Sequence, residues 1–310
     1  MVYKRFSGQA RTTMQIGIIG LGKMGLNMAR RLLAGQHEVV GLDHHAENRQ
    51  ELAAAGGRAT GTIEELVAAL AAPRTVWLMI PAGTPTEEAL TTLQGLLRAG
   101  DLIIEGGNTF YRDSMRRAET FAARGVNYLD AGTSGGIWGL KIGYCLMVGG
   151  TEAAFRRAEP LFATLAPPQG YRHVGPSGAG HFTKMVHNGI EYGLLQAYAE
   201  GFELLNAAPF PLDLPGLAHL WNQGSVVRSW LLELAGEALA NPGFGDIADY
   251  IEDSGEGRWT VAEAIERNVP APVITLSLLN RLRSRQPASF AGRFIAALRR
   301  EFGGHRVRAS

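Results

Sequence analysis

The chain has 310 residues, long enough for two domains, and its 46% hydrophobic and 19% charged content is that of an ordinary globular protein. Its 30 Lys and Arg nearly balance its 29 Asp and Glu, giving a formal charge of +1 that argues against a general nucleic-acid binder. A lone cysteine, Cys145, leaves no disulfide framework and fits a reducing cytosol, and no apolar run reaches the ~18 residues of a membrane span.

Met1–Thr13 lacks the apolar centre of a signal peptide and reads as a disordered lead-in, with Met14 a candidate start. Gln15–Gly20 (QIGIIG) is a short apolar strand that runs into Gly20-Leu21-Gly22-Lys23-Met24-Gly25 and then a helix, Met24–Ala34. In this G-x-G-x-x-G pattern the first glycine permits the turn, the second lets a pyrophosphate approach the backbone, and the third lets helix and strand pack closely. A second strand, His37–Leu42, ends at Asp43, about 20 residues beyond the glycines. A carboxylate there accepts both ribose hydroxyls of NAD and repels a 2′-phosphate. The competing reading of Asp43 is a cap for the next helix.

The alternation continues with helical Ile63–Ala71, strand Thr75–Ile80 into Pro81-Ala82-Gly83, helix Glu87–Leu97, and strand Asp101–Glu105 into Gly106-Gly107-Asn108. After helix Asp113–Ala123, strand Val126–Asp130 runs into Ala131-Gly132-Thr133-Ser134-Gly135-Gly136. Strands separated by helices predict a parallel sheet with ligands at the carboxyl ends of its strands, so these loops and the glycine loop should share one crevice. Ser134, Gly135 and Gly136 offer a hydroxyl and unobstructed N–H groups. Leu140–Gly149 reads as a strand pair or strand edge, Thr151–Leu165 as a helix, and Tyr171–Gly175 as the last strand.

Beyond it the pattern is helical: His181–Gly201, Leu217–Gln223, Ser229–Ala240, Trp259–Arg267, Val273–Arg285, and a final helix near Ala288–Arg300. The boundary therefore falls near Pro176–Gly180, giving an α/β domain over 14–178 and a helical domain over 179–310. On the first of these helices Lys184, His187, Asn188 and Glu191 recur at i, i+3, i+4 and i+7, which places them on one face. Met185, Ile190, Leu194 and Leu195 supply apolar contacts on neighbouring angles. A solvated outer face is the bland explanation. Glycines at 178, 180, 189 and 193, with His181 and Tyr192 enlarging the polar cluster, favour a ligand-facing site. No Cys/His cluster has metal-ligand spacing, and His44 and His45 are adjacent rather than on one helix face.

Taken together, G-L-G-K-M-G-L-N at 20–27, E-G-G-N-T at 105–109, D-A-G-T-S-G-G at 130–136, K-M-V-H-N-G-I-E-Y at 184–192, G-E-G-R-W-T at 255–260 and F-G-G-H at 302–305 resemble the 6-phosphogluconate dehydrogenases, within the beta-hydroxyacid dehydrogenase group. The resemblance implies a Rossmann-type doubly wound sheet followed by an all-helical domain. It implies a metal-free oxidative decarboxylation of 6-phosphogluconate to ribulose 5-phosphate and carbon dioxide. Lys184 would take the C3 hydroxyl proton and Glu191 would protonate the enediol at C1. An amine can serve as that base once desolvation brings its pKa toward neutrality. By the same resemblance Asn108, Ser134, Gly135, Gly136, His187 and Asn188 match substrate contacts, Tyr192 and Arg281 phosphate contacts, and Asn108 also lines the cofactor site.

Arg299 and His305 match a tail that reaches into a neighbouring subunit's site, which implies a homo-oligomer. The chain resembles the short subgroup of the family, so its helical domain lacks a duplicated bundle and expects core from another subunit. Ser254 replaces a phosphate-binding lysine, with Arg258 a candidate substitute, and Asp43-His44-His45 replaces the Asn-Arg-Thr of NADP users. NAD is therefore the expected cofactor, and the cytoplasm the expected location. Two alternatives are a beta-hydroxyacid dehydrogenase acting on an unphosphorylated acid and a non-catalytic dinucleotide-binding sensor.

Overall fold

The computed structural model describes residues 12–286, 288–303 and 306. Eight strands form one sheet among these residues: β1 (Gln15–Ile19), β2 (Glu38–Leu42), β3 (Arg58–Thr60), β4 (Thr75–Leu78), β5 (Leu102–Glu105), β6 (Asn127–Ser134), β7 (Cys145–Gly150) and β8 (Tyr171–Gly175). Their order is β3-β2-β1-β4-β5-β6-β7-β8, and every neighbouring pair is parallel except β6 with β7. The order reverses between β1 and β4, which is where open α/β sheets bind ligands.

The helices between the strands are α1 (Lys23–Ala34), α2 (Ala46–Ala54), α3 (Ile63–Ala68), α4 (Thr84–Leu96), α5 (Tyr111–Ala122), the short α6 (Gly139–Ile142) and α7 (Glu152–Leu165). They cover both faces of the sheet, as a parallel sheet requires. One face gathers Ile16, Ile18, Trp77, Ile104 and Leu129 with α1 and α7; the other gathers Ile19, Val40, Val76, Ile103 and Leu93 with α3 and α4. Register sets Leu42, Ile19, Leu78, Glu105 and Asp130 in one row across five strands; β1, β2, β4 and β5 end at this row, so the loops after them leave from one edge, while β6 runs on to Ser134.

Three elements depart from the sequence reading, α6, α2 and β3, and β6 continues to Ser134 where that reading ended a strand at Asp130. Residues 139–142 are helical, not strand: positive φ at Gly135, Gly136 and Gly143 turns the chain tightly around a buried Tyr144, and the strand begins only at Cys145. Helix α2 and strand β3 add a further β/α step that the sequence reading left out.

The chain separates into two compact units, Met1–His187 and Asn188–Ser310. Helix α8 (Ala179–Asn206) supplies residues to both. The second unit also holds α9 (Leu214–Trp221), α10 (Trp230–Ala240), α11 (Glu256–Glu266), α12 (Pro272–Ser284) and α13 (Phe290–Gly303). Its apolar core is small, centred on Phe202, Ala218 and Leu232, while Leu204, Ile265, Val273, Leu276, Phe294 and Ile295 are exposed in the single chain. No helix among the described residues is long and apolar enough to cross a membrane.

Candidate active site

The glycine loop is built for an anion. Gly20 has φ +93°, and a Cβ there would stand 2.5 Å from the Met79 carbonyl oxygen; one on Gly25 would stand 2.0 Å from the Gly20 carbonyl oxygen. These two glycines are forced by packing. Gly22 differs: a Cβ would meet nothing within 4 Å. It is the N-cap of α1, no side chain caps that helix, and its first turn carries no acid, so no local side chain competes with an anion for its first N–H groups. The residues thus fit a dinucleotide's pyrophosphate on steric and electrostatic grounds.

Asp43 follows β2 on the same edge and is tied into the loop, accepting the Leu21 N–H at 2.7 Å and the His45 N–H at 2.8 Å. Burial opposes its charge, but the His45 and Leu21 N–H groups outweigh that and hold its carboxyl below the usual range. Helix α2 takes His45, not Asp43, as its N-cap. Pro81, Ala82 and Gly83 are exposed after β4, and Asn108 is exposed after β5. Gly107 lies against Ile80, with room for no Cβ: it would stand 2.6 Å from the Ile80 carbonyl oxygen. Ser134 is half-buried at the end of β6, and Gly136, at φ +50°, has nothing within 4 Å of its Cβ position.

Helix α8 starts against this sheet. Asp130 is fully buried and accepts the Gly178 N–H at 2.7 Å and the His181 N–H at 2.9 Å, so the helix is capped by a carboxylate from a distant strand. A Cβ on Gly180 would stand 2.3 Å from the Asp130 carbonyl oxygen, and one on Gly132 would stand 2.5 Å from Lys184 Cβ. Only glycine at both positions lets α8 sit this close, and the stem of Lys184 lies on the Gly132 backbone. Lys184 is 8% exposed, which rules out the bland explanation of a solvated face for this residue. His181 is also buried and pairs through Nδ1 with Ser114 Oγ at 2.7 Å.

Within the second unit, His187's successor Asn188 and Glu191 are half-buried, and α8 packs on α11 where Gly189 meets Thr260. Tyr192 is buried beneath Gly257, and the Arg281 guanidinium lies 3.4 Å from its ring centroid. Burial pushes the Tyr192 hydroxyl above its usual pKa, against the pull of Arg281, so it stays a donor at neutral pH. Arg258 is engaged with Asp253, an ion pair that also draws Arg285 to 4.0 Å. Its charge is therefore partly committed. Arg299 is exposed on α13, Ser254 is exposed, and His305 lies outside the described residues, as does the lead-in through residue 11. Of the four residues expected to supply apolar contacts beside the polar face, Met185 is buried, while Ile190, Leu194 and Leu195 are exposed in the single chain.

The sequence reading missed three residues. Asp130 and Glu105 looked like ordinary strand ends, and Glu256, the first residue of α11, is buried with neither carboxylate oxygen hydrogen-bonded among the described residues. The one available signal was a charged residue at the carboxyl end of an otherwise apolar strand.

Comparison with known proteins bears on the whole chain. Residues 15–175 match the family model described as the NAD binding domain of 6-phosphogluconate dehydrogenase, and residues 180–305 match its C-terminal domain. The NAD(+)-dependent, decarboxylating 6-phosphogluconate dehydrogenase of Haloferax volcanii is 45% identical over 297 residues, covering 95% of this chain and 98% of its own. The Bacillus subtilis protein of the same description is 36% identical over 287 residues, 87% of this chain and 61% of its own length. Among solved structures, Plasmodium falciparum 6-phosphogluconate dehydrogenase, studied with NADP+ and with 6-phosphogluconate, superposes with a TM-score of 0.81 at 29% identity, over 96% of this chain and 66% of that one. On the strength of both halves of its length, the chain belongs to the 6-phosphogluconate dehydrogenase family.

Proposed function

We propose that this chain oxidatively decarboxylates 6-phospho-D-gluconate to D-ribulose 5-phosphate and carbon dioxide, with NAD as the oxidant. The observation that carries the reading is the buried Lys184, held by a pinned helix start against the strand edge that also presents the open N-terminus of α1 and Asp43. NAD supplies the hydride acceptor when bound. Lys184 takes the proton of the C3 hydroxyl, and the same group, now an ammonium, polarises the C3 ketone as the carboxylate departs. Glu191, seven residues on and so about 10 Å along the same helix face, delivers a proton to C1 of the enediol.

In this reading Asn108, Ser134, Gly135, Gly136, His187 and Asn188 orient the sugar acid. Tyr192 and Arg281 hold the phosphate, and Arg258 contributes only to the extent that Asp253 releases it. Gly20 to Gly25 take the pyrophosphate, and Pro81 to Gly83 the neighbouring ribose. The exposed apolar side chains of the second unit support a homo-oligomer, with the segment around Arg299 and His305 reaching a neighbouring site. A nucleotide domain over 14–178, a helical domain over 179–310 and a cytoplasmic location complete the proposal.

The test is initial rate with 6-phosphogluconate and NAD, with carbon dioxide trapped in parallel. One carbon dioxide per NADH supports the reading. NADH formation without gas, or turnover only of small unphosphorylated hydroxy acids, overturns it. Glu191→Gln in a single turnover should slow product protonation more than NADH formation.

Cofactor choice gives a second expectation. Asp43→Ala removes a charged acceptor for the ribose hydroxyls and also the anchor of Leu21, so NAD binding weakens and the preference for NAD over NADP falls about 10- to 100-fold. The measurement is kcat/KM with each cofactor; an unchanged ratio means that the ribose is read elsewhere.

A further inference from the structure

Four buried side chains of the first unit, Glu105, Thr109, Arg117 and Tyr128, form with the part-exposed Glu87 a polar cluster that the proposed chemistry does not use. Glu105, at the end of β5, is 1% exposed and accepts hydrogen bonds from Thr109, Tyr128 and Arg117. Arg117, on α5, is 3% exposed; its Nη1 donates to Glu105 at 2.5 Å and its Nη2 to Glu87 of α4 at 2.9 Å. Burying a guanidinium and a carboxylate together is costly, and a pair of apolar residues would serve stability as well or better. The arrangement therefore calls for a reason other than stability.

Its place in the fold supplies one. Glu105 and Thr109 flank Gly106-Gly107-Asn108 and bond to each other, so the loop is clamped at both ends by one contact. Glu87 lies in the first turn of α4, directly after Pro81-Ala82-Gly83, and its N–H is bonded to the Gly83 carbonyl. Thr86 Oγ1 closes the same loop by donating to the Pro81 carbonyl at 2.8 Å. A single guanidinium thus joins the clamps of both loops, and Gly107 already rests on Ile80 between them.

We infer that Arg117 is a positioning residue that sets the spacing between the 81–83 loop and the 106–108 loop, and through them the registration of cofactor against sugar acid. The inference rests on the reading above that these loops hold those two ligands. Planar geometry is what the task needs: a guanidinium holds Glu105 and Glu87 in a fixed fork, whereas an ammonium on a flexible stem fixes neither their spacing nor their direction.

Three variants separate this role from simple stabilisation. Glu87→Gln loosens only the first clamp and should weaken NAD binding about two- to fivefold with KM for 6-phosphogluconate unchanged. Thr109→Val loosens only the second and should raise KM for 6-phosphogluconate by a larger factor than it weakens NAD binding, since Asn108 faces both ligands in this reading. Arg117→Lys keeps the charge, loosens both, and should lower kcat about 10- to 100-fold, because small misplacements of reacting groups are costly. Adding Glu87→Gln to Arg117→Lys should then cost less in NAD affinity than it costs the parent, since only the contact of Glu87 with Arg116 is left to lose.

Folded Arg117→Lys protein with kcat and NAD affinity within twofold of the parent overturns the inference, as do identical profiles for Glu87→Gln and Thr109→Val. Should Arg117→Lys not fold, the split between the other two variants decides. If the parent does not turn over 6-phosphogluconate, the functional reading fails by itself, and NAD affinity in Glu87→Gln and Arg117→Lys still judges the clamp.

Discussion

Exchange of Lys184 for alanine is expected to lower kcat by about 10² to 10⁴ while leaving NAD affinity near that of the parent, because it removes the proposed general base while the glycine loop lies elsewhere on the edge. The structural warrant is specific. Lys184 is buried, its stem rests on Gly132, and the turn before it is fixed by Asp130, so the amine has few alternative positions. Arginine at 184 should not rescue the rate, since a guanidinium stays protonated and cannot accept the hydroxyl proton. Steady-state kinetics with circular dichroism as a folding check decides the matter. A kcat within threefold of the parent in a folded Lys184→Ala protein would remove the base from the mechanism.

The largest stability effect is expected at Asp130. Its carboxylate is the acceptor for two buried N–H groups, those of Gly178 and His181, at 2.7 and 2.9 Å. Alanine there leaves both without an acceptor, at about 1 to 3 kcal/mol each, for a total on the order of 4 kcal/mol. That is a large part of the roughly 5 to 15 kcal/mol that holds a typical domain together. Asparagine keeps one oxygen and turns an N–H₂ toward the other donor, so the urea midpoints should fall in the order Asp, Asn, Ala. The loss should extend to kcat, since the pinned turn is the one that presents Lys184. An Asp130→Ala protein with an unchanged urea midpoint would show that α8 is held by its glycine contacts alone.

Much of the architecture could be read from the chain because the relevant signals are local. Apolar runs such as Gln15–Ile19 and Leu102–Glu105 end in glycines, and the intervening helices carry an apolar stripe, so alternation alone predicts the sheet. Helix α2 escaped because A-E-N-R-Q-E-L-A-A buries only Leu52 and has no apolar period; β3 escaped because three residues are too few to show one. Residues 139–142 misled because Leu140, Ile142 and Tyr144 alternate like a strand, while the conformation is decided by glycines on either side. The glycine loop and the polar face of α8 were legible for the same reason: each is contained in one segment. Asp130 with His181, and Arg117 with Glu105 and Glu87, join residues 51, 12 and 30 positions apart, and no local pattern marks such partners.

The emptiness around Gly22 separates folding from cofactor capture. Its φ of −62° is one that alanine adopts without strain, and no neighbour stands in the way, but the benefit of a stiffer unfolded chain is offset by alanine's poorer fit at a helix N-cap, so stability changes little. In the proposed reading the added methyl would stand where a pyrophosphate needs bare main chain. A library of this enzyme sorted only by survival at high temperature would therefore pass that variant unnoticed, and with it a catalyst that no longer captures its cofactor.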